Sequence, residues 1–282
     1  MLSDFLHDLC YKLKGEAIVS RYWHCWILAV LCILATVCSA CGDSRTPQLS
    51  SQRSTPDPKG AVPMILVFSK TTGYRHASIA TGITAISKLA QQHHVRADFT
   101  EDATVFTDNN LARYQAVVFL NTTGTLFDDV QRVAFERYIR AGRGYVGIHS
   151  ASDTEYLWPW YDQLLGTHFL SHPPISQATL HVEDRTHPST SMLPEQWIRT
   201  DEWYNFRTNP RKNVHVLITL DETTYKGGKM GQDHPIAWYH PFDGGRAWYT
   251  GLGHTSASFT EPLFLQHLWG GISYAAGWNS RI

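Results

Sequence analysis

The chain has 282 residues, 43% of them hydrophobic, with 24 basic against 25 acidic side chains, enough for one domain with a large core. That balance, with no Lys/Arg run, gives no electrostatic footprint for nucleic acid and excludes that class of partner. All five cysteines, Cys10, Cys25, Cys32, Cys38 and Cys41, precede residue 42, so the remainder has neither disulfides nor a cysteine nucleophile.

The first element is an apolar run over residues 26–37, preceded by Lys12, Lys14 and Arg21 and followed by Cys38-Ser-Ala-Cys41. It is too short to span a bilayer comfortably, and its charged start, apolar core and small-residue end are the layout of a secretory signal. The tetrapeptide resembles a bacterial lipobox, which makes Cys41 the lipidated first residue of the mature chain; an uncleaved anchor helix is the other reading. Gly42 rather than Asp follows Cys41, which by resemblance to lipoproteins favours the outer membrane. On either reading the protein sits in the cell envelope, tethered to a membrane and facing the periplasm. Residues 1–41 are thus a signal peptide with lipobox, and residues 42–60, polar and bearing Pro47, Pro56 and Pro58, form a flexible linker. The domain is 61–282.

It opens as an alternating α/β chain. Residues 64–68 are an unbroken apolar run, as expected of a strand covered on both faces. Ser78 offers a cap for a helix with Ile79, Ile83, Ile86 and Ala90 at helical spacing. A second strand is predicted over 95–99 and a third over 116–120. Thr125 with Asp128 reads as a capping box for a helix running to about residue 141, stopped at Gly142. A fourth strand, 145–148, leads straight into His149. Shorter β stretches at 214–220, 236–240 and 246–250 and a helix over 262–276 complete the chain. The pattern predicts an open, mostly parallel, doubly wound sheet with additional short strands. Its chemistry belongs at the carboxyl ends of the strands, where Arg75 and His76, Asn121, and His149 to Asp153 collect. Solvation of ordinary loops would also make these segments polar.

His149 suits acid/base work, metal binding or a hydrogen bond to a sugar hydroxyl. Ser150 stands one place late for a Gly-x-Ser-x-Gly elbow. His168 and His172 are four apart, which on a helix is zinc-binding spacing, although two prolines follow; recognition of a polyol is the competing use. In Asp201-Glu-Trp-Tyr204, an extended chain puts Glu202 and Tyr204 on one face and Asp201 and Trp203 on the other, whereas a helical turn would pair Asp201 with Tyr204. The two adjacent acids therefore do not form the carboxyl pair of an ordinary glycosidase, and a partner would come from Asp153 or Glu155. The aromatic run 156–161 offers Trp158 or Trp160 as a face for a sugar, or else packs in the core. Glycines before His254 let the backbone approach a ligand closely.

The segments Gly73-Tyr-Arg-His-Ala-Ser78, Gly144-Tyr-Val-Gly-Ile-His149, Leu165-Gly-Thr-His-Phe169 with His172-Pro173, Asp201-Glu-Trp-Tyr204, His234-Pro-Ile-Ala-Trp238 and Gly245 to His254 together resemble the trehalose-utilisation (ThuA-like) family, over residues 62–277. The resemblance implies a flavodoxin-like fold related to class I glutamine amidotransferases. Those relatives carry a Gly-x-Cys-x-Gly elbow; here Gly147-Ile-His-Ser-Ala151 puts His149 at the cysteine's place, so the fold is inherited and the amidotransferase reaction is not. It further implies a disaccharide or keto-sugar substrate and glycosidic cleavage or a related acid/base step. In that scheme His149 and Glu202 exchange protons and Asp201 and Tyr204 orient them. Arg75, His76, Asp153, Trp158, His168, His172 and His254 hold the saccharide, with His168 and His172 as ligands should a divalent metal such as zinc be present. A non-catalytic saccharide-binding lipoprotein and a metal-dependent hydrolase of a non-sugar substrate are the alternatives.

Overall fold

The strands β1 (Met64–Phe68), β3 (Ala116–Leu120) and β4 (Gly144–Ile148) are buried along almost their whole length, which is why each reads as a continuous apolar run. The computed structural model describes residues 62–278; the segments expected to be a signal peptide and a linker, with Cys41, lie outside the described residues. With β2 (Arg96–Thr100) and β11 (Gly245–Thr250) these strands form a parallel half-sheet in the order β2-β1-β3-β4-β11. From β11 the same sheet continues antiparallel through β10 (Pro235–Phe242), β9 (His215–Leu220), β6 (Ser176–Val182) and β7 (Gln196–Asp201). Two short strands, β5 (Phe169–Ser171) and β8 (Asn205–Phe206), pair separately.

Helices cover both faces of the parallel half, giving the doubly wound, flavodoxin-like class. On one face α1 (Ile79–Gln92) and α5 (Pro262–Ala276) touch each other and the sheet, and α5 comes so close that a Cβ on Gly144 would run into the carbonyl of Ala275. On the other, α3 (Asp129–Arg140) and α4 (Pro159–Leu165) close over an aromatic layer in which Phe119 meets Phe135, Tyr145 and Tyr161. A single turn, α2 (Asp108–Leu111), packs on α3.

Two local expectations shift. The capping box of α3 is made by Asp128 and Gln131, whose side chains each reach the other's backbone amide, so the box begins three residues later than Thr125. Ser78 precedes α1 but does not cap it with its side chain; its hydroxyl donates instead to the carbonyl of Gly253, tying β1's loop to the loop after β11. Among the described residues no helix is long and apolar enough to cross a membrane.

Candidate active site

At the end of β4 the chain turns directly into a short 3-10 helix, residues 149–153, and the pivot is His149, at φ +48°. A non-glycine residue holds that left-handed conformation only when its surroundings fix it. The imidazole is fully buried, and its Nδ1 lies 2.8 Å from the carbonyl of Gly251. A carbonyl only accepts, so Nδ1 carries a hydrogen and Nε2 is the nitrogen turned toward the other site residues. Tyr204 packs on the same ring at 4.1 Å between centroids.

Two other segments bring partners to Nε2, and two more close around them. His254, after β11, places Nδ1 3.2 Å away, and Glu202, just past β7, places Oε2 3.4 Å away. His254 Nδ1 and Glu202 Oε2 are themselves 3.0 Å apart, and the other carboxylate oxygen meets His172 Nδ1 at 3.0 Å. His76, after β1, stands edge-on to both His149 and His254 with its Nδ1 3.2 Å from Ser150 Oγ. The loop carrying His254 is fastened from beneath by Asp201, which accepts hydrogen bonds from the amides of Gly253, His254 and Thr255 and from the Ser258 hydroxyl.

Burial, reinforced by the neighbouring His149 and His254, pushes His76 down to about 3 and keeps it neutral. Burial would raise Glu202, but hydrogen bonds from His149 and His254 and their charge outweigh it and hold the carboxyl at about 2. Asp153 moves the other way: burial raises it above the ordinary carboxylate range, although the Tyr156 hydroxyl, 2.6 Å from Oδ1, opposes the shift. Asp153 and Glu202 face one cavity of about 390 Å³. Its aromatic lining is Tyr74, Phe169 and Tyr204, and its polar lining adds His76, His172 and His254.

The structure therefore assembles His149, Glu202, Tyr204, His76, Asp153, His172 and His254, and separates the other candidates. Asp201 ends β7 fully buried beside Arg199, under the site and outside the cavity lining. Trp158 is corrected to a core residue: it stacks on Trp160 and Tyr161, and its Nε1 donates to Glu136. Arg75 is corrected to an exposed side chain held by Glu101 through two hydrogen bonds, which draw it off the cavity. His168 is not paired with His172. The residues between them are strand β5, so a spacing of four does not stack the rings as it would on a helix, and His168 Nδ1 donates to the carbonyl of Ser152. Glu155 caps the amides of Leu126 and Phe127 and pairs with Arg132, which is architecture rather than chemistry. Tyr74 and Phe169 are the lining residues that attention to histidines and carboxylates passed over, although both lie inside the quoted motifs.

The family model described as "Trehalose utilisation" matches residues 64–275. Among solved structures, a ThuA-like protein from Bacteroides uniformis ATCC 8492 aligns at 24% identity with a TM-score of 0.65, covering 78% of this chain and 94% of that one. A second ThuA-like protein, from Parabacteroides merdae ATCC 43184, aligns at 19% identity and 0.64, covering 77% and 90%. A β-galactosidase from Bacillus circulans sp. alkalophilus aligns at 11% and 0.52, covering 77% of this chain and 31% of that one. At these identities the structural likeness speaks for the fold alone. No curated protein matches the chain.

Proposed function

Because the chain belongs to the trehalose-utilisation (ThuA) family, we propose that it is an acid/base enzyme acting on a disaccharide or keto-sugar glycoside, with glycosidic cleavage as the reaction. The observation that carries this reading is one cavity holding two carboxyl groups pushed in opposite directions, Asp153 up and Glu202 down. Divergent pKa values in one site separate the proton donor from the group that stays charged. Asp153, which burial keeps protonated to higher pH than an ordinary carboxyl, donates to the departing glycosidic oxygen. The end formed by Glu202 and His149 takes a proton from the attacking water, with the imidazole as carrier and the ionised carboxylate stabilising its charge. Glu202 is thus a fixed anion rather than an equal partner in proton exchange. Tyr74, Phe169 and Tyr204 offer rings to the apolar faces of a sugar, while the surrounding imidazoles and carboxylates bond its hydroxyls.

The place of work is also a proposal: export by residues 1–41, lipidation at Cys41 and a tether of residues 42–60, with the domain facing the periplasm, most simply from the outer membrane. The sequence layout supports it.

The reading is tested by incubating the protein with disaccharides and their 3-keto derivatives and following products by mass spectrometry. Cleavage by the wild type is expected, with Asp153→Asn and Glu202→Gln each slower by roughly 10²–10⁴-fold. A sugar that binds and is recovered unchanged under every condition would replace the enzyme by a saccharide-binding module. If no sugar binds, the carbohydrate assignment falls.

A further inference from the structure

We propose that His76, His149, His254 and Glu202 together bind one divalent first-row transition-metal ion. One ligand-capable atom from each of the four lies within 4.8 Å of every other, although the residues follow four different strands. Zinc bonds of about 2.0–2.2 Å place ligand atoms of a tetrahedral ion roughly 3.4 Å apart. The separations among His149 Nε2, His254 Nδ1 and Glu202 Oε2 are 3.2, 3.4 and 3.0 Å, so little movement is needed to close around an ion. Two imidazole nitrogens that face each other beside a carboxylate form a donor set that a cation satisfies at once.

The outer contacts point the same way. Metal-binding histidines commonly donate their second nitrogen to a carbonyl or carboxylate, which fixes the ring and directs the lone pair inward. His149 does so to Gly251 O, and His76 engages Ser150 through Nδ1, leaving Nε2 for the cluster. Glu202 is steadied by His172 at its other oxygen, and the backbone of His254 is fastened by Asp201. Three nitrogens and one oxygen, with no thiolate, suit Zn²⁺, Fe²⁺ or Mn²⁺ rather than a soft ion. His76, Glu202 and His254 also line the cavity, so an ion held by the three close atoms of His149, His254 and Glu202, with His76 as a fourth ligand, would border the substrate space, and a fifth position there would be open to water. An ion there would lower the pKa of water and polarise a sugar oxygen, taking over activation of the water from the His149 imidazole, whose Nε2 would then be a ligand, while Asp153 keeps the role of proton donor. The inference rests on the saccharide reading for what the ion would do, but not for whether it binds.

Accordingly the test contains no sugar. The full-length protein, stripped with a chelator and checked for folding by circular dichroism, is titrated with Zn²⁺ alone by calorimetry, and a Co²⁺-loaded sample is examined for visible absorption bands. One equivalent binding at micromolar Kd or tighter is expected, weakened at least about 100-fold in His149→Ala and in the near-isosteric Glu202→Gln. Substitution of a half-buried histidine outside the cluster, His181→Ala, should leave the affinity unchanged. Folded protein that takes up no Zn²⁺, or the same affinity in His149→Ala and Glu202→Gln as in the wild type, would overturn the metal centre and leave the saccharide reading standing. Failure of the sugar screen with metal bound would do the reverse.

Discussion

Asp153 sets the pH dependence expected of the site. As donor it works only while protonated, so kcat/KM falls as pH rises through its raised pKa. The Tyr156 hydroxyl favours the charged form by hydrogen bonding to Oδ1, so Tyr156→Phe should move this descending limb to higher pH, and Asp153→Asn should abolish the limb along with most of the rate. A limb in the same place in Tyr156→Phe would assign it to another group. At this scale the sequence was legible where geometry is local. Glu202 and Tyr204 reach the same cavity because alternate residues of an extended chain share a side, and His149 was marked by its place at the end of an apolar strand. Arg75 and Trp158 were not legible. What removes them from the site is a carboxylate from β2's end, Glu101, and a core supplied by Phe127 and the α3 residue Phe135, all distant in sequence.

Between elements, the site depends on Asp201 joining the end of β7 to the loop after β11. Asp201→Ala deletes the acceptor of four amides, that of Glu202 included, and of a hydroxyl, and leaves the buried Arg199 with Glu261 as its remaining carboxylate partner. Removing one partner of a buried ion pair costs roughly 3–5 kcal/mol, so urea denaturation should show a loss of that size, with Asp201→Asn retaining part of it. A loss under about 1 kcal/mol would mean that the loop is held by other contacts. On the opposite edge of β4, Gly144→Ala should destabilise by about 1–3 kcal/mol through overpacking against α5. The parallel strands could be read as elements because each is a continuous apolar run bounded by turns. Their continuation into β11, β10, β9, β6 and β7 could not, since alternating strands say where a face is buried and not which neighbour they pair with. His168 and His172 show the same limit: a spacing of four has a meaning only once the element is known, and here it is a strand.

For the whole molecule, one sheet delivers the site because β1, β4 and β11 run parallel and end on the same side, and only β7 must reach back to add Glu202. Acid stability follows from histidines that the fold buries away from the cavity. Burial pushes His267 down to about 3 and His187 to about 4. Both stay neutral in the folded state while the unfolded chain takes up protons near pH 6.5, so stability is full above that value. It is lost as pH falls toward 4, on the order of 1 kcal/mol per pH unit for each histidine. The melting temperature should therefore drop steadily below pH 6.5, and a flat profile from pH 7 to 4.5 would show that these rings are solvated.

The most direct test of the account is a crystal structure of Asp153→Asn soaked with a disaccharide or its 3-keto derivative. The account predicts an intact sugar in the cavity of about 390 Å³, with a ring face against Tyr74, Phe169 or Tyr204, the glycosidic oxygen at residue 153 and hydroxyl or carbonyl oxygens toward Glu202 and the histidines. Saccharide bound elsewhere on the protein, or a cavity that stays free of sugar at saturating concentration, would contradict it.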